Sequence, residues 1–329
     1  MLTYTARDSV PIETLQKACY ISCILSEHCG LGSFPINHPG EVDMPQEIPA
    51  EPSMEETSGE QGSGYDFSRC KLCAAYAARP KYQLEKTTVY ACAACGFHFI
   101  NHLDSLPSDS PGDATKSLDR KARDYIEKRL PGSEKQLLKN LLLVKRHISL
   151  SGAHCLDIGA GAGLFAHLLA EAGAVVQGIE PQGVFREFAL QRFGLALSGE
   201  TIDARHWQQG FAGFFDVVTL WDVFEHVNFP AETLQDAYNV MKPGGWLFLD
   251  TPRRDALFYR ISEWSYSLSG GANSRLLGSL YSPLPFRHKQ IFTLRQLRTL
   301  VERIGFSVTS VHSSFFQPHN RMVLVCRKT

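Results

Sequence analysis

The spacing of hydrophobic positions changes after Gly152, where short apolar runs begin to alternate with longer stretches of helical periodicity. The short runs predict buried strands, and the periodic stretches predict the helices between them. Such alternation is typical of a parallel sheet with helices on both faces. The predicted strands are His154–Ile158, Ala174–Ile179, Asp216–Leu220 and Trp246–Asp250, and the predicted helices are Leu164–Ala172, Val184–Phe193, Ala231–Met241 and Leu294–Ile304.

Two further apolar runs, Phe306–Val311 and Met322–Cys326, predict an antiparallel pair of strands at the end of the chain. Ahead of Gly152, residues 116–147 have helical spacing that Pro131-Gly132 interrupts, which predicts separate helices. The stretch from Glu41 to Gly64 is acidic and contains no Lys or Arg, so it predicts a flexible linker. The predicted domains are an N-terminal extension with this linker (1–64), a cysteine-paired module (65–105), connecting helices (106–150) and an α/β domain (151–329) with an insertion at 253–290.

The charge balance narrows the class of protein. Lys and Arg total 33 against 34 for Asp and Glu, which argues against a general nucleic-acid binder. Apolar runs stay short of a membrane span, and the N-terminus lacks a basic segment followed by an apolar core. A cytoplasmic protein without a membrane span is therefore expected.

Four of the nine cysteines stand in two pairs, Cys70–Cys73 and Cys92–Cys95, separated by 18 residues. Each pair fits a tight turn that directs two thiolates at one metal, so the spacing predicts a structural zinc site with four cysteine ligands in a zinc ribbon. The glycine that follows, Gly96, suits the left-handed backbone of such a turn. The alternative is a set of ordinary buried or oxidised cysteines.

A glycine-rich turn, Gly159-Ala160-Gly161-Ala162-Gly163, follows the first predicted strand of the α/β domain and precedes a helix. Glycines there let backbone approach a ligand closely, with the helix N-terminus facing it. Asp157 stands just before the turn, where its carboxylate can lie near a ligand's polar end. Glu180 ends the second strand, where an acidic side chain can bind ribose hydroxyls. Together they predict a nucleoside-binding site.

Five ordered motifs extend this pattern over residues 151–329: LDIGAGAG at 156–163, GIEP at 178–181, FDVVTLWDVFEHV at 215–227, MKPGGWLFLDTP at 241–252 and HKQIFTLRQLRTLVERIGF at 288–306. With them the segment resembles the class I S-adenosylmethionine-dependent methyltransferases, above all the branch that includes the ubiquinone-biosynthesis O-methyltransferases. The resemblance implies a Rossmann-like, doubly wound sheet of seven strands with the last strand antiparallel. The zinc ribbon precedes it.

The resemblance also implies roles in cofactor binding. Asp157 and the loop that contains Gly159, Ala160, Gly161 and Gly163 would hold the methionine and ribose part of S-adenosylmethionine, and Glu180 would accept the ribose hydroxyls. Asp203, with the Ala204 backbone, matches the position that reads the adenine amino group, although a surface loop acid is the alternative. Leu220 and Trp221 would line the far side of the cofactor.

Asp222, Glu225 and His226 resemble a Glu-x-x-Glu-His run that the ubiquinone O-methyltransferases associate with a divalent cation near the acceptor. Here the first acid is Asp, which leaves cation binding open. His226 is alternatively the base that deprotonates the acceptor. A third interpretation is that these residues only shape the loop and cap the next helix.

The insertion at 253–290 mixes aromatic and cationic residues, which suits a cap over a substrate with an apolar body and an anionic group. Arg253 is its candidate substrate contact, and His288 matches a position common in the branch. An amphipathic helix packed on the core is the alternative.

The resemblance thus implies methyl transfer to a small-molecule or carrier-linked acceptor in a biosynthetic pathway, with oxygen ahead of carbon or nitrogen. The alternatives are a cofactor-binding scaffold without catalysis, and an enzyme whose zinc ribbon docks a nucleic acid. A protein partner could bind through the zinc ribbon or the N-terminal extension. The intact glycine loop and Glu180 argue against the scaffold.

Overall fold

The computed structural model describes residues 64–104, 118–284, 287–313 and 321–329. The predicted extension and linker, with the exception of Gly64, lie outside these ranges. Gly64–Thr329 forms one compact unit, so the cysteine module packs together with the α/β domain. Within the described ranges, no helix combines the length and apolar character that a membrane crossing requires.

The predicted parallel sheet is present. Its strands are β4 (His154–Ile158), β5 (Val175–Ile179), β6 (Phe215–Leu220), β7 (Met241–Pro252), β9 (Phe306–Ser313) and β10 (Arg321–Lys328). They lie side by side in the order β5-β4-β6-β7-β10-β9. Strand β4 pairs in parallel with β5 and β6, and β6 pairs in parallel with β7. Strand β10 runs antiparallel to both β7 and β9, which confirms the antiparallel last strand.

The expected seventh strand is reduced to a single bridge between Ile179 and Ser198. Ser198 exchanges two backbone hydrogen bonds with β5 and the residue after it, at 2.8 and 2.9 Å. The next parallel bond would join the Glu200 N–H to the carbonyl of Glu180, but the Glu200 N–H donates to Ser198 Oγ at 3.2 Å instead. The pairing therefore stops after one residue, and the prediction of seven full strands is wrong by one.

Helices cover both faces of the sheet and bury its apolar side chains on each side. On one face lie α5 and α8, and on the other α1 and α2. The helices are α1 (Arg120–Lys145), α2 (Leu164–Glu171), α3 (Gly183–Phe193), α4 (Arg205–Gly210), α5 (Pro230–Val240), α6 (Leu257–Leu268), α7 (Arg275–Gly278) and α8 (Leu294–Ile304).

One helix, α1, runs through the predicted break at Pro131-Gly132. A proline in a helix removes the bond to the carbonyl four residues earlier, here that of Glu127. Both Pro131 and Glu127 are exposed, so water can hydrogen-bond to this carbonyl. The predicted division into two helices is wrong because solvent compensates the missing bond.

The cysteine module is a three-stranded antiparallel ribbon of β1 (Ala78–Gln83), β2 (Thr88–Cys92) and β3 (His98–Ile100). A fourth strand, β8 (Gln290–Ile291), comes from the α/β domain and pairs antiparallel with β3. The ribbon and the α/β domain therefore share one small sheet.

Helix α6 of the insertion packs on this ribbon. Tyr259 is buried, and its hydroxyl lies 2.9 Å from His98 Nδ1 and 2.7 Å from the Tyr281 hydroxyl. Tyr82 of β1 donates to Glu263 at 2.8 Å. Other apolar side chains of α6, Trp264 among them, are exposed. The helix therefore packs partly on the ribbon, and neither the packed amphipathic helix nor the substrate cap describes it alone.

A carboxyl group is buried near the carboxyl end of β4. Asp157 is 2% exposed, and its Oδ1 accepts a hydrogen bond from Thr219 Oγ1 at 2.6 Å. Burial raises the pKa of Asp157 to about 7, although the Thr219 bond opposes the shift. The folded protein therefore favours the protonated carboxyl more than the unfolded chain does.

This shift predicts a pH-dependent stability. Because the folded-state pKa is raised, Asp157 stabilises the fold below about pH 4, and the contribution is lost as the pH rises towards 7. Its slope is at most about 1.4 kcal/mol per pH unit. Urea unfolding between these pH values should show the loss in the wild-type protein, and the variant Asp157→Asn should lack this component. Parallel curves for the two proteins would contradict the assignment.

Candidate functional site

The glycine loop lies between β4 and α2, and Gly159, Gly161 and Gly163 all have positive φ angles. A Cβ added to Gly159 would stand 2.3 Å from Val223 Cγ2, a distance at which backbone or side chain must move. Val223 belongs to the loop after β6, so that loop packs directly on the glycine loop. Only glycine permits this close approach. The contact between the two loops joins the predicted cofactor site to the predicted acceptor site.

Glu180 stabilises the glycine loop. Its Oε2 accepts the Gly161 N–H and its Oε1 accepts the Gln182 N–H, both at 2.8 Å. The carboxylate is buried at the carboxyl end of β5, next to Asp157 at the end of β4. Burial raises the pKa of Glu180, and the two backbone bonds oppose the shift. Both predicted carboxylates thus lie at one edge of the sheet, where doubly wound folds bind ligands.

The remaining predicted cofactor residues differ in exposure. Asp203 is exposed and its side chain contacts Thr201, while Ala204 is the N-cap residue of α4. Leu220 and Trp221 are buried at the end of β6, and the Trp221 ring contacts Phe165 edge to face. Trp221 Nε1 is buried without a hydrogen-bond partner among the described residues. Their cofactor roles stay predictions.

Asp222, two residues after the end of β6, has a φ of +60°, a left-handed conformation that is unusual for a residue with a side chain. Its backbone N–H donates to Asp250 Oδ1 at 2.6 Å. Strained backbone of this kind concentrates at functional sites, where the surrounding structure stabilises it.

Glu225, His226 and His288 come together beside Asp222. The two imidazole rings lie 5.0 Å apart, and His288 Nε2 is 3.9 Å from Glu225 Oε1. Within the described part of the chain, Glu225 Oε2 and His226 Nδ1 are buried without a hydrogen-bond partner. Burial raises the pKa of Glu225 to about 8, lowers that of His226, and lowers that of His288 to about 3. Neutral side chains with free polar atoms therefore line the predicted acceptor site.

Sequence reasoning missed Arg321, the first residue of β10, which enters this acidic cluster. Its Nη1 lies 2.5 Å from Asp222 Oδ1, its Nη2 lies 2.9 Å from Glu225 Oε1, and its Nε lies 2.7 Å from Asp250 Oδ2. The Arg321 guanidinium lowers the pKa of Asp222. About 100 residues separate Arg321 from Asp222, and no short motif contains both.

The predicted divalent cation can be compared with these contacts. Asp222, Glu225, His226 and His288 offer ligand atoms within 4.8 Å of one another, a distance that a metal could span. Two of these four side chains already contact Arg321. A divalent cation bound to Asp222 Oδ1 and Glu225 Oε1 would have to displace the guanidinium that already contacts both oxygens. The residues do not fit a divalent cation while Arg321 stays in place.

The predicted substrate contact Arg253 is held by a bidentate pair with Asp255, at 3.0 and 2.8 Å. A different arginine, Arg321 on a strand of the core sheet, contacts the acidic cluster. A role for Arg253 in acceptor binding stays a prediction.

The four cysteines Cys70, Cys73, Cys92 and Cys95 converge in the ribbon. The Sγ atoms of Cys70 and Cys95 are 3.6 Å apart, and those of Cys73 and Cys92 are 3.7 Å apart. A tetrahedral zinc with Zn–S bonds of about 2.3 Å requires sulfurs about 3.8 Å apart, so the cluster fits this ion.

Comparison with known proteins agrees with this geometry. A family described as a methyltransferase domain matches residues 119–311. The ubiquinone biosynthesis O-methyltransferase of Thiobacillus denitrificans is 34% identical over 116 residues, covering 34% of this chain and 50% of that protein. Its counterpart in Pseudomonas aeruginosa is 35% identical over 120 residues, covering 35% and 51%. The chain spans about half the length of the curated relatives it matches.

Solved structures include a SAM-dependent methyltransferase of Thermotoga maritima, described as a possible histamine N-methyltransferase, with a TM-score of 0.46, 20% identity, and coverage of 64% of this chain and 97% of that one. Another is magnesium protoporphyrin IX methyltransferase of Synechocystis with bound SAH, with a TM-score of 0.47, 16% identity, and coverage of 62% and 88%. The family match covers more than half of the chain, and it shows that this protein belongs to the methyltransferase domain family.

Proposed function

We propose that this enzyme transfers a methyl group from S-adenosylmethionine to an oxygen of a small-molecule or carrier-linked acceptor in a biosynthetic pathway. The observation that carries the proposal is the pair of buried, unpartnered atoms, Glu225 Oε2 and His226 Nδ1, in the described part of the chain. Buried polar atoms without partners are rare and call for a ligand. The ubiquinone biosynthesis relatives favour oxygen as the acceptor atom.

The sheet edge has the features that the cofactor needs. Bound S-adenosylmethionine supplies an activated methyl group on a sulfonium centre. Glu180 would accept the ribose hydroxyls with the lone pairs left free by its bonds to Gly161 and Gln182. The loop Gly159–Gly163 would approach the ligand through its backbone, and Asp157 would hold the polar end.

His226 is the proposed base. Burial lowers its pKa, so the ring is neutral near pH 7 and can accept a proton from the acceptor hydroxyl at Nδ1. The loop of His226 packs on the glycine loop through Val223, which brings base and methyl donor to one place. Alignment and exclusion of water supply the remainder of the catalysis.

A structural zinc ion is proposed for the four-cysteine cluster. Four thiolates fill its tetrahedral shell, so it takes no part in the reaction. Its proposed role is to hold the ribbon, whose strand β3 pairs with β8. The Lys289 N–H, directly before β8, donates to the carbonyl of Glu225 at 2.9 Å, so the ribbon supports the acceptor loop.

The base assignment is tested with His226→Asn. Transfer of a radiolabelled methyl group to a panel of hydroxyl-bearing acceptors should slow by about 10²–10⁴-fold, because general-base catalysis contributes that much. Binding of S-adenosylhomocysteine, measured by calorimetry, should stay unchanged. The control His312→Asn, on an exposed position of β9, should behave as wild type. Full activity of His226→Asn would refute the assignment.

The cofactor site is tested with Glu180→Gln. An amide replaces one of the two carboxylate oxygens with a donor, so one backbone bond and one ribose bond are lost. The affinity for S-adenosylhomocysteine should fall by about tenfold or more, which corresponds to about 1.4 kcal/mol. The exposed control Glu171→Gln should retain wild-type affinity. Equal affinities for the two variants would place the cofactor elsewhere.

The zinc proposal is tested with Cys73→Ser. Native mass spectrometry should find one zinc ion in the wild-type protein and none in this variant, because a neutral hydroxyl replaces a thiolate ligand. Methyl transfer should fall more than cofactor affinity, since β3 supports the acceptor loop. The control Ala74→Gly lies in the same turn at a φ of +60° and should keep its zinc. A wild-type protein without zinc, or a zinc-bound Cys73→Ser, would contradict the proposal.

A further inference from the structure

We infer that Arg321 takes the place of a divalent cation in the acceptor site, as a positioning residue that holds the surrounding carboxylates. The guanidinium contacts Asp222, Asp250 and Glu225 with a different nitrogen in each case, at 2.5 to 2.9 Å. In its consequence for the acceptor, the inference rests on the proposed function.

The guanidinium does for these acids what a metal ion would do. Acidic side chains close to one another repel whenever they are ionised, unless a cation lies among them. A planar guanidinium presents donors in several directions and stays charged at any working pH, so it can bridge several acids at once. The left-handed backbone of Asp222 is stabilised from two sides, by its N–H bond to Asp250 and by the side-chain contact with Arg321.

The fold fixes Arg321 more firmly than a loop would. Strand β10 lies between β7 and β9 in the sheet, and Arg321 is paired with Pro252, while Asp250 on the neighbouring strand pairs with Val323. Asp250 and Arg321 therefore stand on adjacent strands within two residues of register. The backbone of Arg321 thus belongs to the core sheet, which fixes the point from which its side chain reaches the acids.

A chemical consequence follows for the acceptor class. A metal ion in a methyltransferase can bind two neighbouring acceptor oxygens at once, which favours chelating diols. With Arg321 in place, the acceptor site needs no chelation, so an acceptor with a single hydroxyl suffices. His226 accepts the proton of that hydroxyl, and the arginine holds the Asp222–Glu225 loop in position.

The experiment measures Mn²⁺ binding to the zinc-loaded full chain by electron paramagnetic resonance. Manganese prefers oxygen and imidazole ligands to thiolates, so the four-cysteine cluster does not interfere. The variants are Arg321→Met, which removes the charge at similar volume, and Arg321→Met combined with Glu225→Gln. The matched control is Arg327→Met on the same strand, where the side chain contacts the Gly244 carbonyl.

The wild-type protein and Arg327→Met should leave Mn²⁺ free up to millimolar concentration. Arg321→Met should gain one Mn²⁺ site at least about tenfold tighter, and the added Glu225→Gln should remove this gain. A stoichiometric Mn²⁺ site in the wild-type protein that Glu225→Gln abolishes would overturn the inference. So would an Arg321→Met variant that binds S-adenosylhomocysteine normally but gains no Mn²⁺.

The wild-type measurement decides the question even if Arg321→Met does not fold. A second variant, Arg321→Lys, keeps the charge on one nitrogen that cannot reach all three acids. Its Mn²⁺ affinity should lie between those of the wild-type protein and Arg321→Met. Mn²⁺ binding requires no turnover. An enzyme that transfers no methyl group to any hydroxyl would therefore refute the proposed function without changing this result.

Discussion

The predicted acceptor side of the site depends on a strand of two residues, Gln290–Ile291. In one direction this strand pairs with the ribbon strand His98–Ile100. In the other direction it holds the loop after β6, because Gln290 Nε2 donates to the carbonyls of Phe224 and Val227 at 3.3 and 2.6 Å. The preceding residue, Lys289, is fully buried and forms an ion pair with Asp104 at 3.0 Å. The loop after β6, which contains the left-handed Asp222 and the buried Glu225, is thus held in place through its own backbone carbonyls.

The cofactor side has a different physical basis. Glu180 and the glycine loop are held by the parallel strands β4 and β5 and by the two N–H bonds to the Glu180 carboxylate. The two sides meet where Val223 packs against Gly159. Because that contact leaves no room for a side chain, the distance between the glycine loop and the acceptor loop is set by van der Waals contact. A fixed distance is what an in-line methyl transfer requires.

Local sequence patterns predicted the parts of the fold that depend on local periodicity. The strand His154–Ile158 and the helix Leu164–Glu171 match the predictions closely, since apolar spacing and the Gly163 turn decide them. Patterns failed where tertiary contacts or solvent decide. The seventh strand ends after Ser198 because the Glu200 N–H bonds to the Ser198 side chain. The exposure of Pro131 and Glu127 lets α1 continue through the proline. Arg321 could not be found because its partners lie on β7 and in the loop after β6, far away in the chain.

The position of Arg321 also explains why the motif after β6 alone could not decide between two roles, cation binding by its residues and catalysis with His226 as the base. Asp222, Glu225 and His226 have the same order in the chain whether a metal ion or an arginine lies beside the two acids, since both cations would contact the same carboxyl oxygens. The difference lies in the strand that closes the sheet. Strand β10 carries a cation to the carboxyl edge of β7, where the acids converge. The surroundings of this acidic cluster are therefore determined by the topology of the antiparallel strands together with the motif after β6.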